Sequence, residues 1–250
     1  KGRTAIIYRW EGGLVCKIPW TSAPKHLELE FERAIVNEKN ILEKLRGHPG
    51  IIEYHGLSSI EGMKDGLLFS EANRGDLQSY IDRENSYIDY ALRKKWCFQV
   101  ANAVAYVQEN GVIHMNLSTT NVLLHQTDQT IDAILADFGG SRCSVLGLSG
   151  NMIPDDPYLD PQLTEFNLPK VDVFSLGVII YIIMTGHYPF HERPAPENEE
   201  MHTYGERVQD LYRDGKFPDV SSVPFGDVIA GCCCERRFET AKEVVVVLEA

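Results

Sequence analysis

The chain has 250 residues, 44% hydrophobic and 24% charged, enough to bury a core as one large domain or two small lobes. Its formal net charge of −12 argues against a broad nucleic-acid footprint or a polybasic membrane anchor, both of which need clustered Lys and Arg. A local cationic pocket stays open, because net charge does not describe a cleft. The longest apolar stretch, Val173 to Thr185, is about half of the ~20 residues a membrane span needs and reads as a buried helix. Six cysteines include the run Cys232, Cys233, Cys234, with no CxxC pair or matching His spacing. They read as reduced, buried thiols of an intracellular, cytoplasmic protein. No signal peptide is visible, and the missing initial Met suggests an N-terminally incomplete fragment.

In chain order, Thr4 to Ile18 reads as a β-hairpin turning at Glu11-Gly12-Gly13. A helix follows from about Leu27 to Leu45, ended by Gly47 and Pro49. Strands fit Ile51 to Leu57 and Leu67 to Ser70. After Gly75 the pattern turns helical, with Leu77 to Ile81 and then about Asp89 to Glu109, capped by Gly111. Val122-Leu123-Leu124 and Ile131 to Leu135 form a small hairpin. Residues 139–170, rich in Gly, Pro, Asp and Ser, read as a long loop, and long ordered loops in compact domains are usually functional. The buried helix comes next, then an acidic, Pro-rich solvated loop from His191 to His202 and two further helices. A strand-rich first third before a helical remainder predicts two lobes meeting near Glu71 to Gly75.

On the helix 27–45, Phe31, Ile35, Leu42 and Leu45 share one face, and Glu38 lies on the same stripe. A carboxylate on a buried face is costly unless paired. Lys17, on the same side of its strand as Val15, is a candidate partner. A Glu at the stripe's edge reaching water fits the spacing equally well. Further on stand Ile113-His114-Met115-Asn116-Leu117-Ser118-Thr119-Thr120-Asn121 and Leu135-Ala136-Asp137-Phe138-Gly139. Asn121 and Asp137 flank the hairpin as hard oxygen donors, the ligand type that Mg²⁺ prefers.

With these segments in this order the chain resembles the eukaryotic protein-kinase family over nearly its whole length. Val15-Cys16-Lys17 resembles V-A-I-K, and Glu38 resembles the helix-C glutamate. His114-Met115-Asn116 with Asn121 resembles H-R-D-x-x-x-x-N, and Asp137-Phe138-Gly139 resembles D-F-G. Asp172 to Gly177, running on to Gly186 and Pro189-Phe190, resembles the helix-F segment, and Arg237 the late arginine of the C-terminal lobe. The resemblance implies a bilobal α+β fold: a small N-terminal sheet with helix C at about 1–72, and a larger helical lobe at 73–250, together one domain. It implies that Lys17, positioned by Glu38, holds the α/β-phosphates of ATP, and that Asp137 and Asn121 bind Mg²⁺. Adenine would rest against the hinge Ser70-Glu71-Ala72 behind a Phe69 gatekeeper, sandwiched by Val15 and Leu123, with Ile7 also at a nucleotide-binding position. Leu42, Tyr54, His114 and Phe138 would form an apolar column. Lys1-Gly2-Arg3-Thr4-Ala5 resembles the second half of the phosphate-covering loop.

The chain departs from the family at Asn116, where the catalytic aspartate belongs. A neutral amide is not a useful base, and losing a general base typically removes about 10²–10⁴-fold in rate. A drifted pseudokinase and an Asp→Asn substitution in an active parent both fit. Met115 replaces the arginine that grips a phosphorylated activation loop, which puts control through Ser141, Ser144 or Ser149 in doubt. Ser118 stands where Ser/Thr kinases usually carry Lys. Asp160-Pro161-Gln162 replaces A-P-E, so the usual Glu–Arg ion pair becomes a neutral Gln162–Arg237 contact at best. The expectation is a Ser/Thr-type protein kinase acting on a protein substrate with crippled turnover. The alternative is a pseudokinase scaffold that binds nucleotide and regulates a partner protein. No nucleic acid or membrane partner is expected.

Overall fold

The computed structural model describes residues 5–20, 24–58, 65–150, 152–192 and 194–250. The hairpin forms as β1 (Ala5–Trp10) and β2 (Leu14–Pro19), turning through Gly12 and Gly13, whose φ of 70° and 77° suit residues without a Cβ. Helix α1 (Lys25–Lys44) follows, and the chain leaves it through Gly47 at φ 88°. Strands β3 (Tyr54–Ser58) and β4 (Gly66–Ser70) complete an antiparallel sheet of order β1-β2-β4-β3. Ile35, Ile41, Leu42 and Leu45 of α1 pack into one core with Leu67 and Phe69 of β4.

Sequence placed Ile51 and Ile52 in the third strand, but they lie outside it. The Ile52 N–H donates to the Leu135 carbonyl (2.9 Å), and the Leu135 N–H donates to that of Gly50 (2.8 Å). This segment therefore pairs with the helical lobe, and the sheet strand begins only at Tyr54.

In that lobe, α2 (Leu77–Glu84) and α3 (Tyr90–Glu109) start where Asp76 and Asp89 accept the Ser79 and Leu92 N–H groups, each at 2.8 Å. Short strand β5 (Val112–Ile113) leads to the hairpin β6 (Val122–Gln126) and β7 (Ile131–Leu135), paired Val122 to Leu135. The expected long loop carries two short strands, β8 (Arg142–Cys143) and β9 (Leu148–Ser149). Helix α4 (Lys170–Thr185) is buried on all sides from Val171 to Ile183, which explains its unbroken apolar sequence. Helices α5 (Asn198–Arg213), α6 (Gly226–Cys233) and α7 (Ala241–Glu249) close the fold.

The end of the expected acidic loop is thus helical. Its polar run forms the first turn of α5, whose Tyr204, Val208 and Tyr212 are buried. α4 and α6 meet at Gly177, where an added Cβ would lie 2.4 Å from the Cys232 Cβ. Cys16, Cys97, Cys143, Cys232 and Cys233 are buried, but Cys234, at the end of α6, is exposed. Among the described residues no helix is long and apolar enough to cross a membrane.

Candidate active site

Alternation along β2 turns Cys16 and Ile18 into the interior of the sheet lobe and places Val15 and Lys17 together on the opposite side. Helix α1 brings Glu38, 1% exposed, to the same place. Lys17 Nζ lies 2.7 Å from Glu38 Oε2 and 2.6 Å from Asp137 Oδ1. Of the two sequence alternatives for Glu38, the structure selects the paired one.

Desolvation works against the charged Lys17, but the two carboxylates outweigh it and raise its pKa, so the ammonium is permanent. Desolvation pushes the Asp137 carboxyl up, and the charge and hydrogen bond of Lys17 reverse this and hold it below the usual carboxylate value. Glu38 moves the other way, because desolvation and the charge of Asp137 exceed what Lys17 returns. Its Oε1 also accepts the Phe138 N–H (3.2 Å), fastening α1 to the turn after Asp137.

Asp137 takes φ 63°, a left-handed conformation rare outside glycine, and its side chain stays 38% exposed. Asn121 borders the same turn, since the Ala136 N–H donates to its carbonyl (2.9 Å). The Asn121 Nδ2 donates to the Asn116 carbonyl (2.7 Å), which ties the two asparagines of the loop together. Beneath them, the buried Asp172 of α4 accepts the N–H groups of His114 (2.7 Å) and Met115 (3.0 Å). Desolvation nevertheless raises its pKa to about 6. His114, fully buried, packs against Phe138 with ring centroids 4.9 Å apart and planes tilted by 59°. Burial lowers its pKa to about 4, so it is neutral at pH 7. Leu42 and Tyr54 share the core with Phe138.

The remaining sequence candidates surround this cluster unevenly. Ile7 lies directly opposite Lys17 on β1 and is 50% exposed, while Val15 lies opposite Phe69. Phe69 is buried against Tyr54. Leu123 is half-buried and bridges to Asp76. The hinge side chains are committed elsewhere. Ser70 Oγ donates to Glu53 Oε2 and lies 2.8 Å from His55 Nε2, and Glu71 pairs with Arg9 at 2.8 Å. With Ala72 they line a cleft of about 850 Å³ that includes neither Lys17, Asn121 nor Asp137. Much of the hinge main chain is engaged as well: the Ser70 and Glu71 N–H groups donate to the carbonyls of Glu53 (3.1 Å) and Gly13 (2.8 Å), and His125 Nδ1 lies 3.1 Å from the Glu71 carbonyl. Lys1 to Thr4, the expected half of the phosphate-covering loop, lies outside the described residues.

The protein-kinase-domain family model matches residues 17–245. The chain belongs to the protein kinase family. It is 29% identical over 189 residues to serine/threonine-protein kinase ATG1b of Arabidopsis thaliana, covering 72% of this chain and 26% of that protein. To calcium/calmodulin-dependent protein kinase type 1 of Caenorhabditis briggsae it is 29% identical over 213 residues, covering 83% and 58%. An Aurora kinase of Eremothecium gossypii is 28% identical over 222 residues, covering 87% and 56%. The chain thus spans from about a quarter to just over half the length of these relatives.

Three kinase features depart from what the sequence suggested or went unread in it. The arginine partner at the end of the activation segment is not Arg237. Asp160, 5% exposed, is gripped in a fork by Arg236 at 2.8 Å through both Nε and Nη2. Arg237 faces Asp227 and Glu235 near the surface. A buried carboxylate two residues after Tyr158 needs a charge, and the left-handed turn at Arg236 (φ 51°) supplies it. Ser141 is fully buried and donates to the His114 carbonyl (2.9 Å), which removes it from the candidate phosphorylation sites. Asn37, beside Glu38, donates from Nδ2 to the carbonyls of Phe138, Gly139 and Ser141, an arrangement with no charge in the sequence to signal it.

Proposed function

We propose that this kinase domain binds ATP with Mg²⁺ at the Lys17, Glu38 and Asp137 cluster. In this reading Asn116 leaves transfer of the γ-phosphoryl group to a serine or threonine hydroxyl of a protein substrate slow or absent. The observation that carries it is the buried Lys17, within 2.7 Å of two carboxylates while one of them, Asp137, keeps an exposed edge.

The donor set fits Mg²⁺. Among the described residues no group of three or more His, Cys, Asp or Glu side chains gathers to hold a metal. A cation would take Asp137 and Asn121 from the protein and the rest from phosphate oxygens and water, as Mg²⁺ commonly does. When bound, Mg²⁺ neutralises charge across the phosphates. Glu38 keeps Lys17 aimed and charged for the α/β-phosphates, and the adenine sits against the hinge at Ala72.

The acceptor side lacks its charges. An amide at Asn116 orients a hydroxyl by hydrogen bonding but cannot take its proton. Ser118 contributes a hydroxyl turned to Thr120 (2.9 Å) where a cation would steady the γ-phosphate. Met115 lies 2% exposed in a small apolar cluster with Ile113, Val171, Leu163 and Phe166.

These three neutral residues on one loop favour a second reading, a pseudokinase scaffold that binds nucleotide and regulates a partner protein through the conformation of its lobes. Both readings need the nucleotide, so thermal unfolding with ATP, with and without Mg²⁺, tests them first. Saturating Mg·ATP is expected to raise the midpoint by several degrees, and Lys17→Met to erase the shift. A chain whose midpoint ignores ATP under both conditions overturns the nucleotide reading.

A further inference from the structure

The position of Asp137 depends on the turn that follows it, and that turn is held from α1. Asn37, 4% exposed, points its Nδ2 at three main-chain carbonyls: Phe138 (3.3 Å), Gly139 (3.0 Å) and Ser141 (2.8 Å). An amide NH₂ has two hydrogens, so two bonds are full and the third is shared. Only nitrogen fits there, because the amide oxygen would face three other oxygens. The Asn37 Oδ1 is left buried without a hydrogen-bond partner among the described residues, a cost the site tolerates to keep the donor aimed at the turn. Gly139 is also close to α1: a Cβ on it would lie 3.3 Å from that of Ala34.

From Ser141 the connection continues, since its hydroxyl donates to the His114 carbonyl and Asp172 holds the His114 and Met115 N–H groups. A chain of hydrogen bonds therefore runs from α1 through the Asp137 turn to the catalytic loop and α4. It contains no arginine and no phosphate, and Met115, where a phosphate-gripping arginine would stand, is buried in apolar contact.

We propose that Asn37 is the positioning residue that sets the Asp137 turn against helix α1 for metal-bound nucleotide, doing with a neutral amide what a phosphate–arginine pair would otherwise do. The effect on nucleotide rests on the reading of Asp137 as a Mg²⁺ ligand; the clamp itself does not.

Asn37→Asp keeps the volume and places carboxylate oxygens against the three carbonyls. Amide hydrogen exchange of the nucleotide-free protein is compared with that of the unsubstituted chain. Residues 138–143 are expected to exchange about tenfold faster, the equivalent of one lost hydrogen bond, with α4 unchanged. Unchanged protection at 138–143, or equal acceleration in α4, overturns the clamp. In parallel, the Mg²⁺-dependent gain in ATP affinity should fall about tenfold while metal-free ATP binding holds; an equal loss with and without metal marks a merely structural residue and also overturns it. If the unsubstituted chain binds no ATP, the nucleotide reading fails, and hydrogen exchange still decides the clamp. Should Asn37→Asp not fold, Asn37→Ser, whose hydroxyl serves one carbonyl, is expected to give a smaller acceleration confined to the same residues.

Discussion

The two ends of the proposed site are built to different standards. At the proposed nucleotide end, Lys17 lies within 2.7 Å of two carboxylates, and each shifts the ionisation of the others. At the proposed acceptor end, Met115, Asn116 and Ser118 are neutral; Met115 packs in an apolar cluster and the Ser118 hydroxyl stays with Thr120. The acceptor loop rests on α4 through Asp172, and the Ser141 hydroxyl joins the turn after Asp137 to that loop at the His114 carbonyl. The difference lies in the chemistry of individual side chains, so in the proposed reading binding and turnover separate on one scaffold.

The contrast is broken most directly by Asn116→Asp. If the nucleotide end is sound, phosphoryl transfer to a generic serine/threonine peptide should rise by about 10²–10⁴-fold. No rise places the loss in Ser118 and the other departures and favours the scaffold reading.

At the end of the activation segment Arg236 is paired with the buried Asp160, and removing that pair sharpens the comparison. Arg236→Ala strands Asp160 and should cost about 3–5 kcal/mol, read as a fall of about 10 °C in the unfolding midpoint. An effect below 1 kcal/mol would show that Asp160 reaches water instead.

His114 joins the two ends, and its expected effect is smaller and depends on pH. Its folded pKa of about 4 lies below the ordinary 6.5, so the folded state binds fewer protons between those values. Its contribution is fully present above pH 6.5 and is lost as pH falls toward 4. Asp172 opposes it: with a folded pKa of about 6 against 3.8, its contribution is present below 3.8 and lost as pH rises through 6. His114→Phe removes the first effect alone. Measured by urea unfolding, the cost of the substitution should be about 2–3 kcal/mol less at pH 4.5 than at pH 7. A cost independent of pH would mean that burial leaves the His114 pKa where it lies in the unfolded chain.

The smallest expected effect is that of Arg237→Ala. Its partners are solvent-exposed, and the loss should stay within about 1 kcal/mol. A loss matching that of Arg236→Ala would reverse the assignment of the two arginines.

Most elements were legible from periodicity and punctuation. Helix α1 was read two residues late at its start and one late at its end, and the hairpins fell where Gly and apolar runs put them. The start of α5 is hard to read because Glu197 to Glu200 directly follows Pro194 and Pro196 and has no side-chain cap; burial of its later face holds it. Within the site, Lys17, Glu38 and Asp137 could be found because a charge at a buried position demands a partner. Asn37 makes no such demand, and its acceptors are main-chain carbonyls about a hundred residues away. The choice between Arg236 and Arg237 turned on a left-handed backbone that no residue pattern announces.

The close approach of α4 and α6 at Gly177 has a consequence for how the protein meets a thiol reagent. Cys232 and Cys233 are sealed by that contact and their pKa values are raised by burial, whereas Cys234, one residue on, is open to solvent. Cys16 is equally sealed inside the sheet lobe. One sulfur therefore reacts with the intact molecule, and the others become clocks in separate rooms. The order in which Cys16 and the Cys232–Cys233 pair take up label tells which lobe opens first.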